Sequence, residues 1–114
     1  MQGDVRESHR RRSVDEEVAM AIAVQLVFNG ATLEEYDQVI GKMGLQPGGQ
    51  GPPGSLSHWV TKTPNGIRVT DVWQSKELFE QFAQEKIGPL AGSVGWTEPP
   101  EITFYEVHNY FGPG

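Results

Sequence analysis

Residues 67–81 read IRVTDVWQSKELFEQ, and this stretch decides the fold because a strand becomes a helix within it. Val69, Asp71 and Trp73 fall on one side of an alternating strand, since successive side chains of a strand point to opposite faces. Ser75 follows at once, and its hydroxyl can accept a hydrogen bond from the free backbone N–H groups that open a helix. The helix then runs from about Lys76 to near Gly88, with Leu78, Phe79, Phe82, Ala83 and Ile87 inward and Glu80, Gln81, Gln84 and Glu85 outward. Gly88 and Pro89 end or interrupt it, and residues 90–94 form a short further turn.

Upstream, residues 56–62 form a second alternating run, joined to the first by Thr63, Pro64, Asn65 and Gly66. Asn-Gly between alternating runs is a hairpin signal. Whether the loop holds two or four residues, His58, Val60, Val69, Asp71 and Trp73 share one face, and Trp59, Arg68, Thr70 and Val72 share the other. His58 therefore lies opposite either Asp71 or Trp73, and a His–Asp contact is within reach.

The outer elements complete the pattern. Residues 20–28 form a strand that is apolar on both faces, so it is expected at the centre of the sheet. Thr32 with Glu35 three residues on is a capping box opening a helix whose buried stripe is Leu33, Tyr36, Val39, Ile40 and Met43, and which ends at Gly44. Residues 101–110 form a fourth strand in which Ile102, Phe104, Glu106, His108 and Tyr110 alternate with Thr103, Tyr105, Val107 and Asn109. Between the first helix and the second strand lies LQPGGQGPPGS, residues 45–55, too rich in Gly and Pro for regular structure. It reads either as a cover over a pocket mouth or as a surface connection. It is no phosphate loop, because no Lys-Ser or Lys-Thr pair follows.

The order is βαββαβ, and right-handed crossovers fold it as an α+β, ferredoxin-like sandwich: a four-stranded antiparallel sheet with two helices on one face. The other face keeps roughly 300 Å² of projected sheet with many apolar side chains and no cover from this chain. A second copy packed face to face would bury it, so a homodimer is expected.

Composition narrows the function classes. The 114 residues suffice for one domain, residues 19–112, able to bury about 65% of its unfolded surface. Residues 1–18 read as a disordered charged tail, and Met20 is an alternative start. A net charge of −6 argues against nucleic acid as partner despite the basic cluster at residues 9–12. The absence of cysteine excludes disulfides, thiolate metal sites and cysteine nucleophiles. No apolar run reaches the length of a membrane span and the first residues lack a signal peptide's apolar centre, so no membrane is expected and the location is read as cytoplasmic.

The features at Asp71-Val72-Trp73-Gln74-Ser75-Lys76-Glu77, with its Trp-x-Ser-x-Glu junction, at Glu106-Val107-His108-Asn109-Tyr110, and in the βαββαβ order make residues 21–111 resemble the dimeric α+β barrel superfamily, especially its antibiotic-biosynthesis-monooxygenase-like group. That resemblance implies a homodimer with a pocket in each subunit between sheet and helices. Related members include cofactor-independent oxygenases of aromatic polyketides, haem-degrading enzymes, isomerases and proteins without assigned activity. Haem-degrading relatives carry a histidine ligand on the second helix; this chain has Phe79 and Phe82 there and no histidine, so no haem is expected.

The expected function is a cofactor-independent monooxygenase or isomerase-like enzyme acting on a small aromatic or polyketide-like molecule. The alternative is a non-catalytic small-molecule-binding or structural homodimer. His58 oriented by Asp71, and His108 beside Glu106, are candidate catalytic groups, because imidazole titrates near neutrality. Each is also readable as a polar group at a strand edge. Trp73, Phe104 and Tyr110 are the candidate substrate-binding residues. Trp73 could line an aromatic pocket or steady an enolate through its indole N–H, and could equally be core. Arg68, on the opposite face, reads as a dimer or surface contact. Neither a cofactor nor a metal is expected: His58, His108 and Asp71 lack short ligand spacing.

Overall fold

The computed structural model describes residues 20–112 and 114; the charged tail expected at residues 1–18 lies outside the described residues. Strand β1 (Ile22–Asn29) leads through the capping box into helix α1 (Leu33–Lys42). Both halves of the box are present: the Glu35 N–H donates to the Thr32 hydroxyl and the Thr32 N–H donates to the Glu35 carboxylate. Strands β2 (Ser55–Thr63) and β3 (Gly66–Trp73) form the hairpin. Helix α2 (Lys76–Phe82) starts at Ser75, whose hydroxyl accepts from the Leu78 N–H at 3.2 Å. A π-helical turn (Ala83–Ile87) continues it into α3 (Gly88–Ser93), and β4 (Glu101–Glu106) closes the chain.

The sheet order is β2-β3-β1-β4 with every neighbouring pair antiparallel, which is the ferredoxin-like arrangement expected from the element order. Register places Val24, Leu26 and Phe28 beside Asp71, Val69 and Ile67 on the helix-covered face. The apolar ones among these, with Ala31, Trp73 from β3 and Phe79 from α2, form the core. His58 pairs with Asp71, which settles the alternative left open by the hairpin. The opposite face carries Trp59 and Tyr105, each about half exposed at 50% and 52%, with the exposed Arg68 between strands.

Two alternatives are resolved, at the hairpin loop and at Pro89, and two strand boundaries differ from the expectation. The hairpin loop is Pro64-Asn65, since Thr63 pairs with Gly66, so Gly66 is a strand residue rather than a turn residue. Its role is closeness: a Cβ there would sit 2.0 Å from the Phe28 carbonyl oxygen. Pro89 does not end the helix, because the π turn lets Gly88 N–H reach the Ala83 carbonyl five residues back, loosening the coil where the proline ring would otherwise collide. Strand β4 stops at Glu106 rather than Tyr110, because Glu106 pairs with Ile22, the first residue of β1, and the ladder has no partner beyond it. The first strand begins at Ile22 and ends at Asn29.

Candidate functional site

Asp71 is the sole charged residue among the buried ones described, 3% exposed in the middle of β3. A carboxylate there needs donors. Register supplies one from the neighbouring strand: His58 Nδ1 lies 2.5 Å from Asp71 Oδ1. Strand period supplies the other, because Trp73 is two residues on and its indole N–H donates to Asp71 Oδ2 at 3.1 Å. With the carboxylate accepting from Nδ1–H, the hydrogen-bond network assigns the imidazole the tautomer with its lone pair on Nε2. That lone pair accepts from the Tyr36 hydroxyl, reaching across from α1. The result is one hydrogen-bonded chain, Tyr36–His58–Asp71–Trp73.

Its electrostatics are set by burial. The Tyr36 phenol is pushed up to about 12, first by desolvation and then by the negative charges of Asp71 and Asp37. It is therefore a donor throughout the physiological range. His58 keeps its side chain 35% exposed, so the imidazole stands at the boundary between the buried carboxylate and open space.

That space is a cavity of about 530 Å³ between the helix-covered sheet face and α1. Tyr36, His58, Asp71 and Trp73 line it, with apolar walls that include Phe82 and Trp96. Residues 45–52 and Ser55, from the Gly/Pro segment, also line it. Both ends of that segment are fastened: Leu45 N–H donates to the Ile40 carbonyl at 3.1 Å, and Gln74 N–H donates to the Gly54 carbonyl at 2.8 Å. Trp96, also in the lining, has its ring centroid 4.8 Å from that of Phe28, and its N–H donates to Glu35 at 2.9 Å. This indole, then the Thr32 N–H, holds the Glu35 carboxyl below its ordinary range.

The structure thus brings His58, Asp71 and Trp73 together and leaves the other candidates apart. Trp73 is 1% exposed and packs edge-on to Phe79, yet it also lines the cavity, so the core and pocket readings hold at once. One reading is corrected: the Trp73 N–H is engaged by Asp71 and is not free to steady an anion. Phe104 pairs with Val24, meets Phe79 edge-to-face at 5.8 Å and carries Lys76 Nζ 4.5 Å from its ring centroid, partly buried against the core and outside the cavity lining. His108 and Tyr110 lie past the end of β4, outside the cavity lining. Tyr36 and Trp96 were not singled out as site residues by sequence; a Tyr on a buried helix stripe, whose hydroxyl must find a partner, was the available signal for the first. Among the described residues no three His, Cys, Asp or Glu side chains form a group able to hold a metal ion, and no helix is long and apolar enough to cross a membrane.

No protein-family model matches the chain, and no curated protein matches it. Solved structures do resemble it. A monooxygenase of Streptomyces coelicolor, the product of ActVA-Orf6, solved with the ligand nanaomycin D, superposes with a TM-score of 0.53 at 18% identity over 90% of this chain and 99% of that one. SnoaB, a cofactor-independent oxygenase from Streptomyces nogalater, gives 0.52 at 17% identity over 79% and 94%. A conserved protein from Methanosarcina mazei Go1 gives 0.56 at 14% identity over 80% and 96%. The chain therefore has the ferredoxin-like α+β fold of the antibiotic-biosynthesis-monooxygenase-like proteins, as the resemblance in its sequence implied.

Proposed function

We propose that the protein is a cofactor-independent oxygenase of a small polycyclic aromatic molecule with a CH₂ group made acidic by a carbonyl conjugated to it through the rings. The observation that carries this reading is the Asp71-oriented His58 on the wall of a largely apolar cavity. An imidazole held in one tautomer by a buried carboxylate is suited to accept a proton. The cavity of about 530 Å³ falls in the range of small-molecule sites. Its aromatic walls, Trp73, Phe82 and Trp96, suit flat rings. The likeness in fold to two oxygenases supports the choice of chemistry.

The reaction balances without a cofactor. Removal of the acidic proton leaves a delocalised carbanion, which supplies the electrons that reduce dioxygen and forms a carbon–oxygen bond to it. The returned proton gives a hydroperoxide. Loss of water with the second hydrogen on that carbon leaves a carbonyl, so a CH₂ group and O₂ become C=O and H₂O. The protein orients the ring system, shields the anion from bulk water and moves the proton through the His58–Asp71 pair.

The exposed Trp59 and Tyr105 on the uncovered sheet face, with the half-buried Val27 and Val72, support a homodimer formed through that face. Light scattering at micromolar concentration tests it, and a monomer mass counts against it. The oxygenase reading is tested with anthrone, a tricyclic ketone with one acidic CH₂ group, in chelator-treated buffer. Oxygen uptake with anthraquinone formation is expected, and loss of both in His58→Gln. Binding of anthrone without oxygen uptake would instead mark a binding protein.

A further inference from the structure

We infer that Tyr36, and not His58 directly, meets the substrate, acting as a relay that takes the substrate's proton while handing its own to His58. The inference rests on the oxygenase reading of the cavity, since it concerns how the proton leaves the ligand. Asp71 holds the Nδ1–H of His58, so the imidazole has one lone pair to offer, on Nε2. The Tyr36 hydroxyl occupies it. A ligand in the cavity cannot use Nε2 without displacing the phenol, whereas the Tyr36 oxygen, on the cavity wall, keeps acceptor capacity of its own.

Tyr36 is also held in place. It follows Glu35, whose carboxylate is bound by both the Thr32 N–H and the Trp96 indole at 2.9 Å, fixing the first turn of α1 against the sheet. Its ring lies nearly parallel to the imidazole, 11° apart. A free phenolate is disfavoured here by burial and by the charges of Asp71 and Asp37. Two proton movements therefore go together: the C–H proton to Tyr36 Oη, and the phenolic proton to His58 Nε2. The imidazolium so formed sits against the Asp71 carboxylate, which stabilises it. Protonation of the peroxide runs the same path backwards, Nε2 to Oη and Oη to the peroxide oxygen, restoring every group.

The test is release of tritium from anthrone labelled at its methylene carbon, measured without oxygen, for the full chain and for Tyr36→Phe and His58→Gln. Both variants should lose release by about 100-fold or more, the usual contribution of a general base. Quenching of tryptophan fluorescence by anthraquinone should be unchanged in Tyr36→Phe, because the ring remains. A proton inventory on the wild type needs no variant: the carbon-bound hydrogen does not exchange with solvent, so the phenolic proton is the one exchangeable proton in flight and the rate should fall linearly with deuterium fraction. Wild-type release in Tyr36→Phe, or a rate unaffected by deuterium in the solvent, overturns the relay. Wild-type protein that releases tritium through Tyr36 yet consumes no oxygen when air is admitted sinks the oxygenase reading and leaves the relay standing. No release by the wild type overturns both.

Discussion

Asp71→Asn should destabilise the protein by about 2 kcal/mol while leaving its shape intact. The carboxylate accepts two hydrogen bonds, from His58 Nδ1 at 2.5 Å and Trp73 Nε1 at 3.1 Å, at a position 3% exposed. A hydrogen bond to a charged group contributes roughly 1.5–3 kcal/mol and one between neutral groups roughly 0.5–1.5. Conversion to an amide therefore loses about 1 kcal/mol per bond. The amide can still accept from Trp73, but its NH₂ then faces Nδ1 and forces the imidazole into the opposite tautomer, with Nε2–H turned toward Tyr36. Urea denaturation followed by tryptophan fluorescence reads the first effect, as a midpoint lowered by roughly 1 M at unchanged slope. Nitrogen NMR of the imidazole reads the second. A variant as stable as the wild type, or more stable, would show that burying the carboxylate costs as much as its bonds return, and the account of Asp71 as an anchored anion would be wrong.

Further outcomes follow from the same contacts. Glu35 has a depressed folded pKa, so its contribution is present above the unfolded value and is lost as pH falls through the folded one; wild type should lose stability in acid more steeply than Glu35→Gln, read by thermal melts across an acid series. Tyr36 has a raised pKa of about 12, so its contribution is complete below the unfolded value near 10 and lost as pH rises through the folded one. Tyr36→Phe should therefore flatten the alkaline limb between those values, and phenolate absorbance should lack one early-titrating tyrosine in the wild type. Gly66→Ala should cost more than about 2 kcal/mol, beyond an ordinary surface change, because the added Cβ would lie 2.0 Å from the Phe28 carbonyl oxygen; a midpoint shift like that of a surface substitution contradicts the close approach.

Much of this architecture is local and so is readable from sequence. The alternation through Val69, Asp71 and Trp73, the Ser75 cap, the Thr32–Glu35 box and the hairpin parity each depend on neighbours within a few residues. The pairing of His58 with Asp71 followed from parity once the loop length was known. What stayed hidden depends on distance in the chain. Tyr36 reaches a partner 22 residues away and Trp96 one 61 away, so neither is marked by spacing. Gly66 looked like a turn glycine because Asn-Gly usually is one, whereas its position is set by the strand packed beside it. The end of β4 is likewise fixed by where β1 begins, and the alternation of residues 107–110 carries no trace of that limit. The π turn at Ala83–Ile87 lets a helical pattern pass a proline that reads as a stop.

Isotopically labelled dioxygen tests the oxygenase assignment most directly. The wild-type protein, anthrone and labelled dioxygen are combined in unlabelled, chelator-treated water, and the anthraquinone is examined by mass spectrometry. The expected product carries one labelled oxygen in its new carbonyl, formed at a rate that collapses in His58→Gln. An unlabelled carbonyl, or a labelled one formed no faster than in protein-free buffer, contradicts oxygenation in this cavity.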